Sequence, residues 1–157
     1  RRVLGVSGRQ FEAFKFRTMY VDGDALFAES PNLAAELRLN HKLKHDPRVT
    51  KVGCWLRKYS LDELPQLVNV VRGEMSLVGP RPERPAYIES FRREVPGYML
   101  RHKVRAGMTG WAQVHGWRGD TSIQERLEHD LYYIRNWSLG LDVRILLMTL
   151  WRSRIPH

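Results

Sequence analysis

The chain has 157 residues, with 26 Lys+Arg against 17 Asp+Glu and a formal net charge of +9 at pH 7. Apolar residues make up 43% and aromatics 10%, which suits one domain with a core and excludes a disordered tail. The single cysteine, Cys54, excludes an internal disulfide framework and a multi-cysteine zinc site. No run approaches the roughly 20 apolar residues of a spanning helix, and Arg1-Arg2 lead into polar sequence with no signal-peptide pattern. The excess charge asks for an anionic partner: nucleic acid, an anionic membrane surface or a phosphorylated small molecule. The plain alternative is a basic, solvated surface.

Phe11 to Met19 partly alternates, so Phe14 and Phe16 are expected on one face of a strand, with Lys15 and Arg17 on the other. Val21-Asp22-Gly23-Asp24 reads as a turn. Ser30-Pro31 opens a helix through Leu33 and Leu37 toward Leu43, closed by Asp46-Pro47. Val49 to Val52 reads as a short strand, followed by Gly53 and a helical turn through Lys58. Leu64, Leu67, Val68 and Val71 have i, i+3, i+4, i+7 spacing, which predicts an amphipathic helix ended by Gly73. Met75 to Val78 is a short apolar run, and Gly79-Pro80-Arg81-Pro82 a stiff, irregular loop. Pro85 to Glu94 is expected helical, broken by Pro96-Gly97. Met108 to Val114 reads as strand or buried loop. Ser122-x-x-Glu125 is a capping box for a helix through Leu127, Leu131 and Ile134. After a break over Asn136 to Gly140, Leu141 to Trp151 is almost wholly apolar. It is either a core helix or a helix resting on a bilayer, with Trp151, Arg152 and Arg154 at the interface. The fold class that follows is α+β, mainly helical, with few short strands and irregular loops.

Several familiar sites are absent. No phosphate-binding Gly-Lys-Ser/Thr loop, dinucleotide glycine fingerprint or Gly-x-Ser-x-Gly elbow occurs. The six histidines lack zinc-ligand spacing: His41 and His45 are four apart but lack the intervening Glu of the metalloprotease pattern. Glu128-His129-Asp130 reads as a solvated helix face, and Cys54 beside Trp55 as a small buried filler.

Asp62-Glu63 is the most informative pair. Ser60-x-x-Glu63 fits a capping box, and carboxylates favour a helix N-terminus. Yet Pro65 has no amide to give a helix starting at Ser60, so that start must be strained or shifted, which re-aims both carboxylates. Cations surround the pair: Arg57 and Lys58 before it, Arg72 after, Arg81 in the stiff loop. Carboxylates that hold Mg²⁺, with arginines on phosphate oxygens, are what diphosphate chemistry requires. The prolines flanking Arg81 limit its backbone freedom and suit it to meeting a phosphate; a plain proline-rich connector is the simpler reading.

These segments together carry a resemblance. Lys15-Phe16-Arg17-Thr18-Met19, Asp46 to Gly53, Ser60-Leu61-Asp62-Glu63-Leu64-Pro65-Gln66-Leu67, Gly73 to Pro82, Gly107-Met108-Thr109-Gly110-Trp111-Ala112-Gln113-Val114 and the tail from Asp130 resemble the bacterial sugar transferases, monotopic polyprenyl-phosphate phosphoglycosyl transferases. The match spans nearly the whole chain in order. It implies that a UDP-sugar yields its sugar-1-phosphate to undecaprenyl phosphate in two steps, releasing UMP. Asp62 would be the nucleophile of a phosphosugar-aspartyl intermediate. Glu63, with Asp62, would hold Mg²⁺. Lys15, Arg57 and Arg81 match basic active-site positions, and Arg17 is counted with them as phosphate-binding. The family begins with a hydrophobic re-entrant membrane helix, so the chain reads as a catalytic domain, residues 1–157, lacking that anchor. Its expected place is the cytoplasmic face of the bacterial inner membrane. Where many members carry Lys-Pro-Gly-Ile-Thr-Gly, this chain has Arg105-Ala106-Gly107-Met108-Thr109-Gly110, which keeps the charge and loses the proline.

Tyr98 to Val104 and Gly116 to Thr121 resemble the subgroup that transfers glucose-1-phosphate in exopolysaccharide or capsule synthesis; galactose or an N-acetylhexosamine stays open. The expected partners are a UDP-sugar, undecaprenyl phosphate and an anionic membrane surface. Homo-oligomerisation is left open. A nucleic-acid-binding module is the alternative of a different class, and a catalytically dead scaffold the third. No reading helix or aromatic RNA motif supports the former, so no nucleic acid is expected.

Overall fold

A computed structural model describes residues 1–23, 25, 43, 46–119 and 121–152, the last by its backbone alone. The expected helix from Ser30, with His41 and His45, lies outside them. In chain order the elements are β1 (Arg2–Leu4), a 3₁₀ turn (Val6–Gly8), β2 (Gln10–Glu12), α1 (Lys51–Lys58), a 3₁₀ turn (Leu61–Glu63), α2 (Gln66–Val71), β3 (Ser76–Val78), α3 (Pro85–Glu94), a 3₁₀ segment (Tyr98–Lys103), β4 (Gly107–Thr109), α4 (Trp111–Val114), α5 (Ile123–Arg135) and α6 (Leu139–Arg152). The class is α+β. The described residues form two compact units, one comprising Arg1–Lys15 and those from Pro65 to Arg152, the other within Phe16–Leu64.

In the first unit β1 and β2 form an antiparallel hairpin with Val3 opposite Phe11. β3 and β4 pair in parallel, Ser76 with Gly107 and Val78 with Thr109. A parallel pair needs a crossover, supplied here by α3 and the 3₁₀ segment. Glycines permit the close approach of this pair. A Cβ on Gly107 would collide with the Gly79 backbone, and one on Gly79 would meet the Arg105 carbonyl. The core gathers Val78, Val114, Tyr133 and Ile145, with Trp111, Ile134, Leu141, Leu146 and Met148 packed around them. Burial, and a 2.8 Å hydrogen bond to Asp142, push the Tyr133 phenol up from its ordinary pKa.

α5 is capped as its sequence predicts, the Ser122 hydroxyl accepting the Glu125 N–H at 3.3 Å. α3 occupies the expected residues, with Pro85 in its first turn. The segment expected as strand or buried loop divides into β4 and the short helix α4. α6 has one buried side, as a core helix requires, and one exposed apolar side. Ile145 is fully buried, while Leu139, Val143, Leu147, Leu150 and Trp151 are exposed along the opposite side.

α2 is the larger surprise. Its apolar positions Leu67, Val68 and Val71 are exposed, as is Leu64 before it, while Gln66 and Asn69 are the buried residues. The cause is Asn69, which is 0% exposed and serves as a polar hub. Its carboxamide accepts the Phe14 N–H at 3.0 Å and donates to the Glu12 carbonyl at 2.8 Å and to Glu74 Oε2. A side chain serving a neighbouring backbone must face inward.

The expected strand from Phe11 to Met19 stops at Glu12. Beyond it the backbone bonds go to Asn69 for Phe14 and, within the second unit, from Phe16 N–H to the Asp62 carbonyl at 2.9 Å. With no ladder to impose alternation, Phe16 is exposed together with Lys15 and Arg17. In the second unit the turn at Val21–Gly23 forms, Gly23 N–H bonding to the Tyr20 carbonyl. Val49 makes only an isolated bridge to Met19, in place of the expected strand. The helix begins earlier because Thr50 caps it, its hydroxyl accepting the Gly53 N–H at 2.8 Å. Gly53 is the one buried residue of α1, since a Cβ there would meet the Thr18 backbone. Cys54 on the other side is therefore exposed, contrary to its reading as a filler.

Candidate functional site

Asp62 lies in the 3₁₀ turn Leu61–Glu63 and is 3% exposed. Ser60, just before it, adopts left-handed backbone (φ 56°, ψ 20°) and makes no side-chain cap bond. The capping-box reading is thus replaced by the shifted start that Pro65 demands. A left-handed non-glycine residue costs about 1–2 kcal/mol, so the surrounding bonds must hold it. These are Ser60 N–H to the Arg57 carbonyl (3.1 Å) and Glu63 N–H to the Ser60 carbonyl (3.3 Å). The turn buries Asp62 and leaves Glu63 half-buried.

α1 packs on this turn and ends in Arg57 and Lys58, where a helix terminus favours cations. Arg57 Nε donates to the hydroxyl of buried Thr18 at 2.8 Å, and the Thr18 carbonyl accepts the Thr50 N–H at 3.0 Å. Arg57 is thereby fixed beside the stretch that carries Arg17. Asp46 and Arg48 form a two-pronged pair at 2.7 and 2.9 Å, and Arg48 holds the Asp46 carboxyl below its ordinary pKa. So the second unit brings together Asp62, Glu63, Arg57 and the Arg17 stretch.

Lys15 and Arg81 belong to the first unit. The Gly79–Pro82 loop leaves β3 and is tied down at successive points. Gly79 N–H bonds to the Thr109 carbonyl, Gly107 N–H to the Pro80 carbonyl and Leu4 N–H to the Glu83 carbonyl, at 2.9, 2.9 and 3.0 Å. A cavity of only about 10 Å³ remains where the loop meets Leu4, Gly5 and His102. Arg81 has cationic company that its sequence position does not reveal. Besides burial, repulsion from Arg84 and Arg81 lowers the pKa of the Arg1 side chain. Glu83 offsets part of that repulsion. Arg72, counted from the sequence among the cations near the dyad, lies over Phe14, 5.1 Å from the ring centroid.

Beneath the loop lies a buried charged network. Arg101, 2% exposed, donates from Nε to Asp130 Oδ2 at 2.9 Å, from Nη1 to the Tyr98 hydroxyl at 2.7 Å and from Nη2 to the Arg81 carbonyl at 2.9 Å. Arg126 Nη1 bonds to Glu83 Oε1 at 2.7 Å. Asp130, expected on a solvated face, is 2% exposed. Burial pushes its carboxyl pKa up and Arg101 pulls it down; with two guanidinium nitrogens within 2.9 Å of Oδ2, the pair is ionised. Burial and the adjacent Arg101 push His102 down to about 4, so it is neutral at pH 7.

Among the described residues no group of three or more His, Cys, Asp or Glu side chains could hold a metal ion. The Asp62-Glu63 donor set still fits Mg²⁺, which typically takes one or two carboxylates and completes its shell with water and substrate phosphates.

A family model described as bacterial sugar transferase matches residues 1–154. The UDP-glucose:undecaprenyl-phosphate glucose-1-phosphate transferase of Escherichia coli is 46% identical over 153 residues, covering 95% of this chain and 31% of that protein. The UDP-N-acetylgalactosamine-undecaprenyl-phosphate N-acetylgalactosaminephosphotransferase of Aeromonas hydrophila is 44% identical over 152 residues, 94% of this chain and 33% of that protein. The exopolysaccharide production protein ExoY of Sinorhizobium fredii is 44% identical over 153 residues, 95% of this chain and 66% of that protein. The chain thus spans about a third of the length of the first two. With the match running along nearly its whole length, the chain belongs to the bacterial sugar transferase family.

Proposed function

We propose that the chain carries the catalytic part of a sugar-1-phosphate transferase acting between a UDP-sugar and undecaprenyl phosphate. The observation that carries this reading is the buried Asp62 on a strained turn, with Glu63 beside it and Arg57 fixed on the adjoining helix. In the first step an Asp62 carboxylate oxygen attacks the phosphorus nearest the sugar. The bond from that phosphorus to the bridging oxygen breaks, and UMP leaves with the electron pair. In the second step an oxygen of undecaprenyl phosphate attacks the same phosphorus. The aspartyl–phosphorus bond breaks and the carboxylate is restored. Glu63, with Asp62, would hold Mg²⁺, which supplies charge neutralisation on the diphosphate. Lys15, Arg17, Arg57 and Arg81 would bind phosphate oxygens, lowering the repulsion an anionic nucleophile meets.

The acceptor is a lipid, and two features support work at a membrane surface. Among the described residues no helix is long and apolar enough to cross a membrane. Yet α6 exposes Leu139, Val143, Leu147, Leu150 and Trp151, and α2 exposes Leu67, Val68 and Val71. Apolar faces on a chain of net charge +9 suit an anionic bilayer surface, here the cytoplasmic face of the inner membrane. Glucose is the sugar we favour, from the Tyr98–Val104 and Gly116–Thr121 segments, and the product would enter exopolysaccharide synthesis; galactose and N-acetylhexosamine are the alternatives. UMP release from UDP-glucose with Mg²⁺ and undecaprenyl phosphate tests the reaction. Label from a phosphosugar should stay on the wild-type protein and not on Asp62→Asn. Equal turnover by the two would remove Asp62 as the nucleophile.

A further inference from the structure

The Arg81 loop poses a backbone problem. Pro80 and Pro82 have no N–H, so donors elsewhere must hold the loop by its carbonyls. The Pro80 carbonyl is held by Gly107 N–H of β4. The Arg81 carbonyl is held by a side chain, Nη2 of Arg101, at 2.9 Å. We propose that Arg101 is a positioning residue for Arg81: its buried guanidinium fixes the Arg81 carbonyl and so sets how Arg81 meets the diphosphate of a nucleotide sugar. The inference rests on the reading of Arg81 as a phosphate-binding residue.

Arg101 suits that task by its geometry. It donates to three acceptors in different directions, Asp130 by two nitrogens, Tyr98 Oη and the Arg81 carbonyl, and it lies 3.9 Å from Glu83 Oε1. A planar fork of five donors can do this; a lysine ammonium, a point charge with three, cannot. The Arg101 guanidinium also lies over the Tyr98 ring, 5.3 Å from its centroid, which fixes its plane. Asp130 anchors it from α5, and that carboxylate is buried. The second arginine, Arg126, holds Glu83 two residues beyond Arg81. Two cations and two carboxylates balance, so the network adds no net charge beneath the loop. What it supplies is direction, through hydrogen bonds at 2.7–2.9 Å on both sides of Pro82.

Calorimetric binding of UDP-glucose to the full chain, with Mg²⁺ present, separates this from a general structural role. Four proteins are compared: wild type, Arg81→Ala, Arg101→Lys and the double variant, each checked by thermal melting. Arg81→Ala should weaken binding about tenfold or more, the worth of a charge-assisted contact. Arg101→Lys should weaken it about fivefold in the wild-type background and not at all in the Arg81→Ala background, because it acts through Arg81. The same factor in both backgrounds, or no loss in either, would overturn the proposal while leaving the reading of Arg81 intact. An unchanged affinity for Arg81→Ala would overturn that reading and the proposal with it. If Arg101→Lys does not fold, Tyr98→Phe removes one partner of Arg101 without touching charge. It should cost about twofold in wild type and nothing in Arg81→Ala, and equal losses in both would sink the idea.

Discussion

The dyad turn and the Arg81 loop each hold one group assigned to the chemistry, and they do so by opposite means. Asp62 is placed by backbone: a left-handed Ser60, a 3₁₀ turn and a bond from Phe16 N–H. Arg81 has backbone bonds on either side of it, but its own carbonyl is held by a side chain, in a network of two buried arginines and two buried or half-buried carboxylates beneath prolines that cannot donate. Backbone placement concentrates its cost in one strained residue. Side-chain placement spreads it over a charged network that fails if any member is lost.

Perturbations should sort accordingly. The largest effect is on chemistry: Asp62→Asn keeps the shape of the turn and should lower the rate of UMP release by at least about a thousandfold. On stability the network should be the more fragile region. Asp130→Asn leaves Arg101 buried without its carboxylate and should cost about 3–5 kcal/mol in chemical denaturation. The turn should respond to shape. Ser60→Val, disfavoured in left-handed backbone, should lose about 1–2 kcal/mol, whereas Ser60→Gly should be neutral or slightly stabilising. If Ser60→Gly were as damaging as Ser60→Val, the hydroxyl and not the backbone would be holding the turn.

The most gradual effect is a pH dependence. His102 titrates near 6.5 when unfolded and at about 4 in the folded chain. Between those values the unfolded state binds more protons, so stability should fall as pH drops through this window and level off below about 4. Relative to His102→Gln, the wild type should lose roughly 1 kcal/mol per pH unit there. Parallel curves for the two proteins would show that burial and Arg101 do not lower the His102 pKa.

Much of this was legible in sequence because punctuation is local. Pro85, Gly97 and the Ser122–Glu125 box mark helix ends by chemistry contained in four residues. Pro65, which has no amide to give, likewise marks the shifted turn at Asp62 from sequence. What could not be read was which way a stripe faces. The i, i+3, i+4, i+7 pattern in α2 identifies an apolar side, but the pull of Asn69 on Phe14 and Glu12, 55 and 57 residues away, decides that this side looks outward. Arg101 and Asp130 stayed hidden for a related reason. A charge pair 29 positions apart has no sequence period, so each reads as surface until its partner is placed. Alternation misled at Phe16 because it presumes a ladder that the chain does not form there.

The bare contact between Gly79 and Gly107 also has a bearing on synthesis. The Pro80–Pro82 segment is braced by Gly107, Thr109, Arg101 and Asp130, all of which follow it in the chain. On a ribosome the arginine loop therefore emerges with the Leu4 bond to Glu83 as its one earlier support, and gains the others only after α5 has left the exit tunnel. A nascent chain that stalled after α3 would carry Arg81 but not the means to aim it.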